Sequence, residues 1–461
     1  MTYRNTHRAG LIGRSCRALL LLLAALPVLT ATPGRADDAT PPDAVELAAP
    51  YTVRPNGLSI RPPLGSSLRV VGTDASAQVV ITPGDHLYRL EFSLLEVASS
   101  DISVAQVLES ALKTMARQPN VLARRENLLI QGRPAEMAFF GGVTIGGADA
   151  QAGLCVVAVG PARFALLKMV ALPSEFAGAR PIFERVAETI DYADPRNLEQ
   201  QRLLLVRRGQ DLLEERMPVL MSSLKPREEW FRLYTLNTDG GEEELGYVRL
   251  RVGPGQRGEV SGGDPAENRA SEREAGLTAH LAARYLPPEG GVSDIVAAYF
   301  LSEDRQTEQW KTTQSVRKEG DSGTTTLIVA RQGSRLTATL SQIGTNYHQR
   351  KIVVPSEGYL SQVELYLLPL LLPRGEQTTE MGFWYFRESN IIFRQDKMEP
   401  AAEAGLWRWV SELSTQVGPM ETIIDQSGAV RSKRTADGVR WEATTLEELL
   451  ALWRRKGLPI D

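Results

Sequence analysis

Along the first 36 residues polarity switches once and sharply. Arg4, Arg8, Arg14 and Arg17 precede the 12-residue apolar block Ala18 to Leu29, and Gly34 and Ala36 set small side chains at the −3 and −1 positions of a cleavage site. The pattern predicts an export signal over residues 1–36, cut after Ala36. A membrane-crossing helix needs about 20 apolar residues; this block is shorter and carries Pro27. Residues 37–54 are acidic, contain Pro41 and Pro42 and have no apolar period, so they predict a flexible lead-in. From residue 55 the period becomes two. Gly57-Leu-Ser-Ile-Arg61 reads as a strand stopped by Pro62-Pro63, Gln78 to Thr82 as another, and His86 to Val97 as a long one. Val104, Val107, Leu108, Ala111, Leu112 and Met115 then recur at three and four residues, which predicts a helix capped by Ser103 and stopped by Pro119.

Leu128 to Ile130 and Glu136 to Phe140 flank the turn Gln131-Gly-Arg-Pro134, and a glycine-rich tip, Gly141 to Gly147, leads into a buried strand around Cys155. Gly160-Pro161 reverses the chain into Phe164 to Leu172, and a second helix is expected to start near Pro181. Each helix has one apolar stripe to bury, so an antiparallel sheet with two helices laid on it is the simplest packing. Over about residues 55–195 this order resembles the PsbP-like fold, shared by extrinsic photosystem subunits, a small nuclear transport factor and many exported bacterial proteins. The likeness is carried by the opening Gly57-Leu-Ser-Ile-Arg-Pro-Pro63 strand, the Ser103-Val-Ala-Gln-Val-Leu108 helix start, the Gln131-Gly-Arg-Pro-Ala135 hairpin and the terminal helix with Ile190-Asp191. It implies a non-enzymatic binding or scaffolding module. No functional residue is carried over, because the family has no common active site.

Residues 196–227, rich in Leu, Arg, Gln and Glu, predict a linker helix capped by Pro218, and residues 228–461 a β-rich second domain. Trp230 to Leu236 and Leu245 to Val252 surround the turn Asn237-Thr-Asp-Gly-Gly241; further strands are expected at Asp294 to Ser302, Thr307 to Val316, Thr324 to Arg331 and Arg335 to Ile343. Tyr359 to Leu372 is the strongly apolar helix candidate, broken at Pro369. Met381 to Arg387 and Asn390 to Arg394 then pair across Glu388-Ser389, and three short strands precede a C-terminal helix with the capping box Thr445-Leu-Glu-Glu448. The expected fold class is α+β in two domains, an antiparallel sheet with flanking helices followed by a curved antiparallel sheet or half-barrel with one apolar helix. Residues 228–443 look like the half-barrel of LolA/LolB-like lipoprotein carriers in topology. That resemblance implies an apolar cavity, which Leu and Tyr of residues 359–372 would line; a helix that simply plugs the sheet has the same sequence pattern.

Composition narrows the partners without naming a reaction. Losing residues 1–36 removes five arginines and no acid, so the net charge moves from −4 to −9. The short basic clusters Arg124-Arg125 and Arg454-Arg455-Lys456 lie among acids and apolar residues, which argues against nucleic acid as a partner. Cys16 leaves with the leader, so Cys155 can form no intramolecular disulfide and reads as an inert core thiol. His86, His280 and His348 are far apart and lack ligand spacing, so neither a metal nor a cofactor is expected. Gly253-Pro-Gly-Gln-Arg-Gly258 has dinucleotide-binding spacing but reads as a loop, because Glu259-Val-Ser-Gly-Gly263 cannot open a helix and Pro254 lacks an amide donor.

Glu242-Glu-Glu244 reads as a solvated hairpin tip. In Phe383-Trp-Tyr-Phe386, Phe383 and Tyr385 point one way and Trp384 and Phe386 the other, so one pair is expected in the core and the other on a binding face. With the apolar segment and Trp407-Arg-Trp409, this makes Tyr359, Leu367, Trp384, Phe386, Trp407 and Trp409 the candidate ligand-binding residues. The function expected is a non-enzymatic binding or scaffold protein of the bacterial cell envelope, taking a protein partner or an apolar molecule. The alternative is an envelope-polymer or ester hydrolase, which requires a cleft where His280 or His348 meets an acid and a hydroxyl.

Overall fold

The computed structural model describes residues 46–459 apart from 54–55, 72–76, 84–86, 117, 146, 238, 263–268, 288–289, 319–320, 343–347, 388–389 and 415–417. The expected leader, the lead-in up to residue 45, His86 and the Glu388-Ser389 turn lie outside the described residues. The chain divides into two units, one ending at Gln201 and one running from Arg202.

The N-terminal unit is built on a seven-stranded antiparallel sheet whose central strands include Arg133–Ile145, Ala148–Gly160 and Arg163–Ala171. Both faces of this sheet are covered. Helix α1, Val104–Met115, is held at its start by a reciprocal box between Ser103 and Gln106, and packs Val107, Leu108 and Leu112 against Phe140, Leu154 and Val156. Helix α2, Pro173–Ala187, covers the opposite face, where Phe176 and Phe183 meet Phe139 and Cys155. Adjacent residues of one strand therefore face different helices, which is why Gly153 to Val159 reads as continuously apolar.

Some boundaries differ from expectation. Helix α2 begins at Pro173 and carries Pro181 in its interior; the first proline, whose missing N–H costs nothing at a helix start, is the one that opens it. Gly141 and Gly142 lie within the strand Arg133–Ile145, where the register shifts between Phe140 and Val143, so the glycines form a bulge and not a loop tip. Tyr51–Val53, expected in the flexible lead-in, pairs with Leu58–Ile60, which in turn pairs with Asp191–Tyr192. The turn between the first two needs Gly57, at φ 77°, since a Cβ there would come 2.1 Å from the Ala193 carbonyl oxygen.

The C-terminal unit is a fifteen-stranded open sheet. Its strands from Arg227–Leu236 to His348–Val353 lie in chain order, and Arg227–Leu236 also pairs with Arg440–Thr444, from which the later strands continue back to Thr379–Arg387 and Tyr359–Leu360. Every pair is antiparallel except Tyr359–Leu360 beside Thr379–Arg387. The sheet rolls up: Trp310 and Phe386, on strands far apart in this order, have ring centroids 5.4 Å apart.

Helix α3, Pro195–Ser223, runs through Pro218 to Ser223, and Leu212, Leu213 and Met217 join the core of the C-terminal unit, a larger part than a linker would have. Helix α4, Gln362–Leu371, lies in the rolled sheet with Val363, Leu367, Leu368 and Leu371 buried. An almost wholly apolar helix can be stable only when surrounded, and here the sheet encloses these four side chains. Helix α5, Leu446–Lys456, closes the chain with the expected Thr445–Glu448 box.

Ala275–Tyr285 and His348–Val353 are strands that the sequence pattern missed. The first is rich in alanine, and the second is a polar edge strand with little to bury. Gly253 to Gln256 continues the strand Glu242–Gln256, with Pro254 opposite Leu277, and a single 3₁₀ turn, Arg257–Val260, follows. The glycine spacing therefore belongs to a strand, and no phosphate-binding α-helix begins there.

Candidate functional site

The site is assembled where α4 meets the sheet. The turn after the strand Val292–Ser302 is fixed by Ser302, whose hydroxyl donates to Asp304 and accepts from the Thr307 amide. This turn places Arg305, at φ 61°, against the start of α4, where its guanidinium donates to the buried Glu364. Glu364 also accepts from the Ser361 amide at 2.8 Å, closing the helix capping box.

Glu308 points inward on the next strand and is 0% exposed. Its Oε2 accepts from Arg331 Nε at 3.1 Å and from the Tyr359 hydroxyl at 2.9 Å; Oε1 accepts from the Gln362 amide at 2.7 Å. Burial pushes its carboxyl above the ordinary range, and Arg331 opposes that shift. Arg331 completes the knot by donating to the carbonyls of Gly333 and Arg305. Burial, reinforced by Glu308, holds the Tyr359 hydroxyl well above its usual pKa, so it stays protonated and donates.

Above this floor is a cleft of about 410 Å³. Gln210, Glu214, Asp304, Gln306, Ser334 and Ser356 line it with donors and acceptors, together with Arg305, Arg331 and Glu364 and with Val354, Pro355 and Tyr359. Gln210 of α3 accepts from the Gly358 amide at 2.8 Å, which ties that helix to the segment leading into α4.

Of the six candidate residues, Tyr359 alone lines this cleft. Leu367 is 0% exposed and packs among the buried residues of the rolled sheet, so it does not reach this polar cleft. Phe386 is buried against Trp310, and Trp384 is half-buried between Phe393 and the Arg202 guanidinium. Both faces of this aromatic strand are thus covered, because the rolled sheet meets one side and α3 approaches the other.

Trp409 is buried and donates to Asp396 at 2.6 Å; Trp407 is half-buried and donates to the Gly375 carbonyl. The six residues are not brought together as one surface.

The glutamate run is also corrected: Glu244 is buried, held by Arg232 and by Lys456 at 2.9 Å. His280 Nε2 stands 3.1 Å from Glu259 Oε2 near the surface, and among the described contacts it meets an acid and no hydroxyl. His348 is exposed on its strand. Among the described residues no group of three His, Cys, Asp or Glu is placed to hold a metal, and no helix is long and apolar enough to cross a membrane.

Sequence reasoning missed Arg305, Glu308, Arg331 and Glu364. A signal was present: Glu308 and Arg331 share the period-two face that carries Trp310 and Val329, so they are charges in the buried register.

No family model matches the chain, and no curated protein matches it by sequence. Solved structures do. Cyanobacterial PsbP of Synechocystis is similar at 12% identity and a TM-score of 0.26, over 36% of this chain and 99% of that protein. A β-barrel-like protein of the domain of unknown function DUF1849 from Brucella abortus is similar at 11% identity and a TM-score of 0.33, over 48% of this chain and 97% of that one.

Proposed function

We propose that the protein is a non-enzymatic binding protein of the cell envelope, and that its cleft beside α4 takes a polar segment of a partner protein. The observation that carries this reading is the chemistry of the cleft wall, which offers donors and acceptors side by side above a base of paired charges. An apolar ligand would bury these groups without partners, at about 1–3 kcal/mol for each one left unmade. A polypeptide brings an N–H and a C=O with every residue and leaves none stranded. The volume lies within the range of small-ligand sites, and admits a few residues of extended chain. Glu308 is engaged by three donors and Glu364 by two, an arrangement suited to holding a shape and not to exchanging a proton with substrate.

Photo-crosslinking in the native host tests this directly. A photoreactive residue at the exposed cleft position Gln306 is expected to capture one discrete protein, whereas the same residue at Thr339, on the outer face of the sheet, captures none. Identical adducts from both positions, or none from Gln306, would contradict the reading.

A further inference from the structure

The strand His348–Val353 ends the order of the fifteen-stranded sheet and pairs on one side alone, with Arg335–Gln342. Just beyond it the Val354 amide donates to the Ser334 carbonyl at 2.8 Å, in the register that continues this ladder. Along an antiparallel pair, residues that exchange hydrogen bonds alternate with residues whose backbone groups point away. Counting back from Val354, the backbones of His348, Arg350 and Ile352 face the ladder, and those of Gln349, Lys351 and Val353 turn outward. Their N–H and C=O groups form a row with no partner among the described residues. Every side chain of the strand is exposed except Ile352, and Val353 is 78% exposed.

The charge of this edge selects what can pair with it. Residues 335–353 contain Arg335, His348, Arg350 and Lys351 and no acid, in a chain where 56 acids outnumber 52 bases. Among the described residues no carboxylate pairs with Arg350 or Lys351. A second copy of the chain would bring the same basic edge, and like charges side by side disfavour that pairing. The edge also leads into the cleft, since Val354, Pro355 and Ser356 follow directly on the strand and line it.

We propose that a partner protein adds an acidic, extended segment to the edge His348–Val353 as a further strand, and that this segment continues into the cleft. The inference rests on the reading of the cleft as a site for polypeptide. Main-chain hydrogen bonds to Gln349, Lys351 and Val353 hold the segment, and its carboxylates answer Arg350 and Lys351.

The test places a photoreactive residue at Val353 of the full-length protein in its native host, and maps the joined peptide by mass spectrometry. That peptide is expected to be acidic and to come from the protein captured at Gln306. Lys351→Pro removes an outward amide and no ladder bond, so the fold should persist while capture falls at least about tenfold. Lys351→Glu keeps the backbone and reverses the charge, and should lower capture by a similar factor. An unfolding midpoint is recorded for both variants, and if Lys351→Pro lowers it, Lys351→Glu decides alone. No capture from Val353, a joined peptide that is neutral, basic or from a second copy of this chain, or undiminished capture in a folded variant overturns strand addition. Capture from Gln306 without Val353 would overturn the edge and keep the cleft; capture from Val353 without Gln306 would keep the edge and contradict the cleft reading.

Discussion

Glu308 and Arg331 occupy positions that the alternation of the inner face would assign to apolar side chains, and each is satisfied by the other and by backbone groups around α4. Removing one partner should leave a buried charge unopposed. Glu308→Gln is therefore expected to lower stability by roughly 3–5 kcal/mol, while Glu308→Leu combined with Arg331→Met recovers most of the loss. Urea unfolding of the two variants checks this, and equal losses would mean that the pair contributes little beyond its separate side chains.

Cys155 is the contrasting residue. Burial pushes its thiol up to about 12, so at pH 8 it is protonated and inaccessible. A disulfide reagent is expected to modify it only at the rate at which the N-terminal unit opens, which stopped-flow measurements in increasing urea would follow. This role was legible in the sequence, because a thiol within a continuous apolar strand has one plausible environment. The ion pair was not, because a charge in a strand reads as solvated until the partner strand supplies its counter-charge.

At the scale of elements, what could be read depended on how local the determinants are. Helix α1 announced itself through its Ser103 cap and apolar spacing, and α5 through its capping box, all within a few residues. The strand Ala275–Tyr285 depends on two neighbouring strands that its own alanine-rich sequence cannot show. Helix α3 illustrates the same limit. It approaches the strand Thr379–Arg387 through paired glycines, and a Cβ on Gly209 would come 2.2 Å from the Gly382 carbonyl oxygen and 2.7 Å from the Phe383 ring.

Helix propensity favours alanine over glycine by about 1 kcal/mol, but backbone cannot move aside as a side chain can. Gly209→Ala is therefore expected to destabilise the C-terminal unit by roughly 1–3 kcal/mol in urea unfolding. A gain in stability would show that α3 packs more loosely than this contact implies.

At the scale of the molecule, the two units have separate cores: one sheet with a helix on each face, and one rolled sheet packed against α4. The α+β class and the two-part division were legible from periodicity; whether the apolar helix plugs the curved sheet or lines a cavity was not, since every curved sheet needs something apolar to cover its inner face. The proposal of export makes its own prediction. N-terminal sequencing of the protein from its host should begin at Asp37, and an intact Met1 would contradict cleavage after Ala36.

The central claim, that the interior is occupied by α4 and the polar cleft serves a partner protein, is tested most directly by native mass spectrometry of material purified gently from its own host. The account predicts the mass of the processed chain together with a bound polypeptide, and no lipid. A stoichiometric lipid or other apolar molecule would contradict it, because the interior would then have to open around a ligand where α4 now stands.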